Sequence, residues 1–404
     1  MIDLLIRHAR VVGPAPGRGA VRGRGMQQLS VVDVCDVAVD AGMIVHVGPG
    51  LPVIGRREIE AGGRVLLPGL IDCHTHMCWA GSRVDEWERR LAGATYIELL
   101  GSGGGIMSTV RAVRLAGEER LAELLLERLE AALSEGSTTV EVKSGYGLST
   151  QSELKMLRAI DLAASKWSGT VIKTACIGHA MDPDEPRAVD RTIRETLPAV
   201  HAEFPGVAID AYCEKSAWSL EDCIRLFDVA GELGHPCRVH ADQFTSMGMV
   251  GAGVRRGFRS VDHLEASTSE DIERLGDSPT LGVVLPCSGF HVDGRYADAR
   301  RIIDAGGAVA LATNCNPGSA PCVSMPMAMA LGVRFCGLCP AESIVAGTAN
   351  AASVLGLEDR GRIEPGLRGD LVLIHATDER ALVHDFGTRH ADVVITGGRI
   401  VRGG

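Results

Sequence analysis

The stretch Leu66–Met77, LLPGLIDCHTHM, decides the fold. An apolar run of Leu and Ile, broken by the Pro68-Gly69 turn, ends in two histidines one residue apart, His74 and His76. Alternate residues of a strand point to one face, so imidazoles at i and i+2 on a strand end can both reach a single cation. A His-X-His pair alone is commonplace. What gives this pair weight is the strand before it, which fixes where both side chains sit.

Beyond that stretch, apolar β runs alternate with helical ones. TTVEVKS, VIKTACIG, AIDAYCE, CRVHADQ, SVDHLEA, LGVVLP and AVALATN are interleaved with helical segments such as Glu118–Glu135 and Ser152–Ser165. Strands apolar on both faces and separated by such helices predict a parallel sheet of β-α-β units. Seven or eight such units predict a closed barrel. The two ends of the chain have a different rhythm. Asp3–Val12 (DLLIRHARVV), Cys35–Gly48, Asp370–Ala376 (DLVLIHA) and Asp392–Val401 (DVVITGGRIV) alternate as strands and predict one small β-domain assembled from both termini. Its expected extent is residues 1–63 with 363–404, leaving 64–362 for the barrel. A chain of 404 residues exceeds the roughly 250–300 at which single cores stop growing, which agrees with two units.

Composition narrows the function. Hydrophobic residues make up 46% of the chain, ample for a buried core, and the net charge of -10 with no basic stripe argues against nucleic acid or an anionic membrane as partner. The twelve cysteines are scattered through apolar segments, unlike a secreted disulfide framework, and read as reduced thiols of a cytoplasmic protein. Cys336 and Cys339 form a lone CxxC without a second pair at zinc-ribbon spacing, so they read as packed thiols. The N-terminal MIDLLIRHARVV lacks the parts of a signal peptide, and no apolar run is long enough to span a bilayer.

In barrels of this kind the chemistry gathers at the C-terminal ends of the strands. Those positions carry His74 and His76, Lys143 with Tyr146, His179, Glu214, His240 with Gln243, His263 and Asn314. One histidine after a strand is usually structural; His or Glu at five strand ends points to a site.

Taken with PGLIDCHTH, GGGIMSTVRA, EVKSGYGL, HADQ, DHLE and NPGS, the chain resembles the amidohydrolase superfamily and, within it, the imidazolonepropionase family, over nearly its whole length. The resemblance implies a distorted (β/α)8 TIM-type barrel with a β-sandwich from both termini, and a homodimer. It implies metal ligation by His74, His76 and His240. Three neutral imidazoles suit zinc first, with iron or manganese also possible. It further implies that Gln243 and His263 contact and polarise the ring, and that Glu214 holds a ring N–H, moves a proton, or orients another residue. Arg83, Tyr146 and His179 would hold a propionate carboxylate, Arg83 through a two-pronged fork. Asn316, Gly318 and Ser319 would close a loop over the ligand, with backbone amides facing that carboxylate. The substrate class is then a small anionic heterocycle. Gly103–Gly105 lacks the following GK[ST] of a phosphate loop, which discounts nucleotides.

One position departs from the family pattern. Where the resemblance implies a proton-handling aspartate after the last barrel strand, this chain has Asn314, followed by Cys315. An amide cannot act as a general base near neutral pH, and acid–base help is typically worth about 10²–10⁴ in rate. The expectation drawn from this is a changed leaving group. Hydrolytic desulfuration of a thioxo-imidazolidinone propionate expels sulfide, an anion that needs no proton delivered first. The alternatives are imidazolone-propionate ring opening itself, an engineered variant trapped at this position, and a non-catalytic binding protein. Cys315 reads as a packed thiol.

Overall fold

The computed structural model describes residues 1–93, 104–215 and 217–403; Gly103 of the GGG run and Ser216 of YCEKSAW lie outside the described residues. Eight parallel strands follow one another round a barrel in chain order: β1 Leu70–Asp72, β2 Ser137–Lys143, β3 Thr170–Gly178, β4 Ala208–Cys213, β5 Arg238–Ala241, β6 Ser260–His263, β7 Leu281–Val284 and β8 Val309–Leu311. The ring is fastened between its first and last strands by the residues just beyond them. Asn314 N donates to His74 O at 3.0 Å, His76 N to Cys315 O at 2.9 Å, and Thr313 N to Asp72 Oδ1 at 3.1 Å.

Helices cross the outside between strands. Glu118–Ser134 turns Leu121, Leu125 and Leu129 inward at every fourth position, with Glu118 and Glu119 in its first turn complementing the helix dipole. Thr150–Lys166 starts at Ser149, whose side chain accepts from Ser152 N and so caps an orphan donor. Both helices match their expected positions. Two shorter helices, Val84–Leu91 and Pro286–Val292, sit on the loops after β1 and β7, at the mouth of the barrel.

The termini form a separate eight-stranded sheet. Val65–Pro68 belongs to it, paired with Leu371–Ile374 of the C-terminal segment and with Ile2–Pro14 of the N-terminal one. The chain then passes into β1 at Gly69, where a Cβ would lie only 2.1 Å from Thr138 Oγ1, so nothing larger fits the crossover. Because side chains alternate along a strand, Val65 and Leu67 point to the barrel core while Leu66 joins the sheet's own core. Val372 and Ile374 against Leu371 and Leu373, and Val394 against Val393 and Ile395, divide in the same way. All twelve cysteines are unbridged, and no described helix is long and apolar enough to cross a membrane.

Candidate active site

The ends of β1 and β5 bring His74, His76 and His240 together in full burial, with ligating atoms all within 4.8 Å of one another. His74 Nδ1 lies 2.6 Å from Asp262 Oδ2, and His240 Nδ1 lies 2.9 Å from Asp210 Oδ1. A carboxylate only accepts, so each Nδ1 carries the proton and each Nε2 turns a lone pair inward. Burial holds the His74 and His76 rings well below the ordinary imidazole pKa and lowers His240 as well, so the trio is neutral. His74 Nε2 is buried with no hydrogen-bond partner among the described residues, and His76 Nε2 lies 3.0 Å from His240 Nε2. An orphaned lone pair beside two converging nitrogens fits a divalent cation, and three neutral imidazoles are a donor set suited to zinc.

Beneath the trio lies a buried ionic lattice. Lys143 Nζ contacts Glu141 Oε1 and Asp210 Oδ2 at 2.7 Å each, while Arg238 reaches Glu141 at 3.2 Å and Asp262 at 2.7 Å. Glu141 therefore joins the two carboxylates that orient the histidines, and its Oε2 also accepts from Thr75 N between His74 and His76. Burial alone would raise Asp210, but the His240 ring and the Lys143 ammonium bring it well below the usual carboxylate range. Lys143 thus lies under the site and does not face substrate. Parallel pairing of His240 with Asp262, and of Arg238 with Ser260, brings Arg238 and Asp262 within reach of each other across the two strands.

A cavity of about 610 Å³ opens above the trio. On one wall Gln243 accepts from the Tyr212 hydroxyl at 2.8 Å, leaving its NH₂ for the cavity. Glu214 is anchored by backbone N–H groups: Lys215 on Oε1 at 3.0 Å, with Phe244 and Thr245 on Oε2 at 2.9 and 3.0 Å. The carboxylate thereby fixes the turn that carries Gln243. His263, at φ +89°, places Nδ1 3.2 Å from Glu265, and its Nε2 makes no hydrogen bond among the described residues. Asn314, at φ +55°, donates from Nδ2 to Ser288 Oγ at 2.7 Å, and its buried Oδ1 has no partner among the described residues. Positive φ is uncommon outside glycine, though His and Asn tolerate it better than most, and at His263 and Asn314 it coincides with the cavity wall.

Arg83, Tyr146 and His179 line the same cavity, the latter two beside His76, and two details depart from the expectation. Arg83 closes its fork on Glu86, with Nε 2.7 Å from Oε2 and Nη2 on Oε1, while Nη1 lies beside Gly318. The amides of Gly318 and Ser319 are not left to donate to a carboxylate; both donate to Asn316 Oδ1, at 2.9 and 2.8 Å, a side-chain oxygen two and three residues back that satisfies them locally. His179 stacks on His76 with ring centroids 4.6 Å apart, and burial pulls its pKa down to about 3. Cys315 is buried, in keeping with a packed thiol.

Sequence reading passed over Glu141, Asp210, Arg238 and Asp262. Their signal is a charge inside an apolar strand: Glu141 two residues before Lys143 in VEVKS, Arg238 two before His240 in RVHADQ, Asp262 one before His263 in VDHLEA, and Asp210 four before Glu214 in AIDAYCE.

Comparison with known proteins places this arrangement. The amidohydrolase family profile matches residues 65–401. An imidazolonepropionase from Herpetosiphon aurantiacus is 41% identical over 408 residues, covering 97% of this chain and 95% of that protein. One from Deinococcus deserti is 41% identical over 381 residues, covering 94% of each. Among solved structures, 5-methylcytosine deaminase from Klebsiella pneumoniae superposes with a TM-score of 0.76 at 16% identity, over 99% of this chain and 97% of its own. The zinc complex of atrazine chlorohydrolase from Arthrobacter aurescens gives 0.74 at 19%, over 99% and 95%. At such identities the two structures establish the fold alone. The family match and the curated relatives go further: the chain belongs to the amidohydrolase family, is imidazolonepropionase-like over nearly its whole length, and is a metal-dependent hydrolase.

Proposed function

We propose that the protein hydrolyses 4-imidazolone-5-propionate to N-formimidoyl-glutamate, using one divalent ion, zinc first, held by His74, His76 and His240. The observation that carries this reading is the near-complete coverage, at 41% identity, of relatives named imidazolonepropionase. The cavity supports it, lined both by His76 and His240 of the imidazole trio and by Arg83. A bound ion would polarise the attacked carbonyl and make water more acidic.

The chain's own groups supply the rest. Arg83, Tyr146 and His179 receive the propionate arm, and the Asn316–Ser319 turn packs against Arg83. Gln243 offers its NH₂ to the ring. His263, whose Nδ1 is engaged by Glu265, presents the lone pair able to take a proton from water. Water adds to the ring carbonyl carbon, the ring C–N bond breaks, and the departing nitrogen takes up a proton. Glu214 acts by holding the Gln243 turn in place. The same proposal extends to a cytoplasmic homodimer, without nucleic-acid or membrane partners, divided into barrel and terminal units as the sequence suggests.

A second reading rests on Asn314. Its amide cannot deliver that proton. Desulfuration of the thioxo analogue, where sulfide leaves as an anion, does not require it. The comparisons favour ring opening. Zinc-loaded protein given each compound separates the readings: loss of ring absorbance without sulfide supports ring opening, sulfide release supports desulfuration, and binding of both without turnover overturns both. Asn314→Asp should raise ring-opening activity if proton delivery limits it; no gain removes the argument for the second reading.

A further inference from the structure

The loop after β2, Ser144–Leu148, has its backbone gripped by side chains from both sides. Glu153, buried in the first turn of the following helix, accepts from Gly145 N at 2.9 Å on one oxygen, and from Gly147 N at 2.7 Å and Leu148 N at 2.8 Å on the other. The carbonyls are held separately. Gly145 O meets His179 Nδ1 at 3.0 Å, Gly147 O accepts from Arg114 Nε at 2.8 Å, and Leu148 O accepts from Arg114 and Arg191. Arg114 is itself fixed by Asp182 at 2.7 Å. The conformation so held is one the chain would not adopt unaided. Gly145 has φ +116°, and a Cβ there would lie 2.8 Å from His179 Nδ1; Leu148, with a branched side chain, has φ +49°. Between these two residues sits Tyr146, which lines the cavity with His179.

We propose that Glu153 is a positioning residue for the carboxylate-bearing arm of the substrate: by gathering three backbone N–H groups it sets Tyr146 and His179 in the cavity wall, without touching substrate or metal. This rests on the proposed function. Replacing the carboxylate with an amide puts an NH₂ against a backbone N–H, and leaving a buried donor unmade is costly.

The test compares wild type, Glu153→Gln and Arg114→Met, all zinc-loaded, with imidazolone propionate and with the same ring lacking the propionate. Glu153→Gln should raise KM for imidazolone propionate roughly tenfold or more, leave kcat within about twofold and zinc content unchanged, and barely alter handling of the armless ring. Arg114→Met, which loosens the same loop from its carbonyl side, should move KM in the same direction by less, and carries the test if Glu153→Gln does not fold. An unchanged KM overturns the proposal, as does an equal loss with both compounds or a loss of zinc. Calorimetric binding of imidazolone propionate keeps the two readings apart. If wild type binds without turnover, the proposed function fails and the variants' affinities still decide the role of Glu153; if wild type does not bind, both fail.

Discussion

The two ends of the cavity are built to different standards. At the imidazole end His74 is 0% exposed, its proton is fixed by Asp262, and Asp262 is fixed in turn by Arg238 and Ser260. At the arm end the Arg83 side chain is 12% exposed, rises from a loop, and is already engaged by Glu86. A cation entering the first end meets three clustered rings and need only part the His76 Nε2–His240 Nε2 contact of 3.0 Å. A carboxylate reaching the second must share Arg83 with Glu86 or displace it. The contrast separates a site organised before binding from one that is completed by exchange.

The sharpest way to break this comparison is His240→Ala, which removes one of three ligands: bound zinc should fall to background and activity should vanish, as elemental analysis and turnover would show. Zinc retained at full stoichiometry would disprove the assignment of the cage. Next in size is Arg83→Ala, expected to weaken substrate binding by about 2–5 kcal/mol with zinc content intact, read as KM or a calorimetric Kd. Asp262→Asn keeps the shape but loses the acceptor that orients His74, so zinc affinity measured against a competing chelator should drop about 10- to 100-fold. The smallest change refines the picture. Glu86→Gln keeps an acceptor for Gly105 N, now 2.8 Å away, while removing the charge that competes for Arg83, and should lower KM a few-fold. A higher KM would mean that Glu86 aligns Arg83 for substrate.

Much of this was legible in the sequence because strand periodicity and the His-X-His pair are local signals. The strand runs from TTVEVKS to AVALATN became β2 to β8, and His240, far along the chain, meets His74 and His76 as expected. The ionic lattice was not legible, since which charge meets which depends on the register between neighbouring strands. Asp262 faces His240 across one strand pair yet bonds His74, a choice set by barrel curvature and absent from any local pattern. At the arm end two local pairings depart from the expectation for the opposite reason. Arg83 and Glu86 are three residues apart, a spacing that readily pairs at a helix start, and the self-closing Asn316 turn is also local, so both pairings form between sequence neighbours.

The alternation along Val65–Pro68, Leu371–Ile374 and Ala391–Thr396 bears on how the molecule comes apart. Each of these strands gives neighbouring residues to two different hydrophobic interiors, so the terminal sheet is a shared wall and not an appendage. Peeling away the C-terminal strands would strip Val372, Ile374 and Val394 from the same interior that packs beneath the catalytic loops, and heating should therefore melt both units in one step, with the chain's two ends guarding its centre.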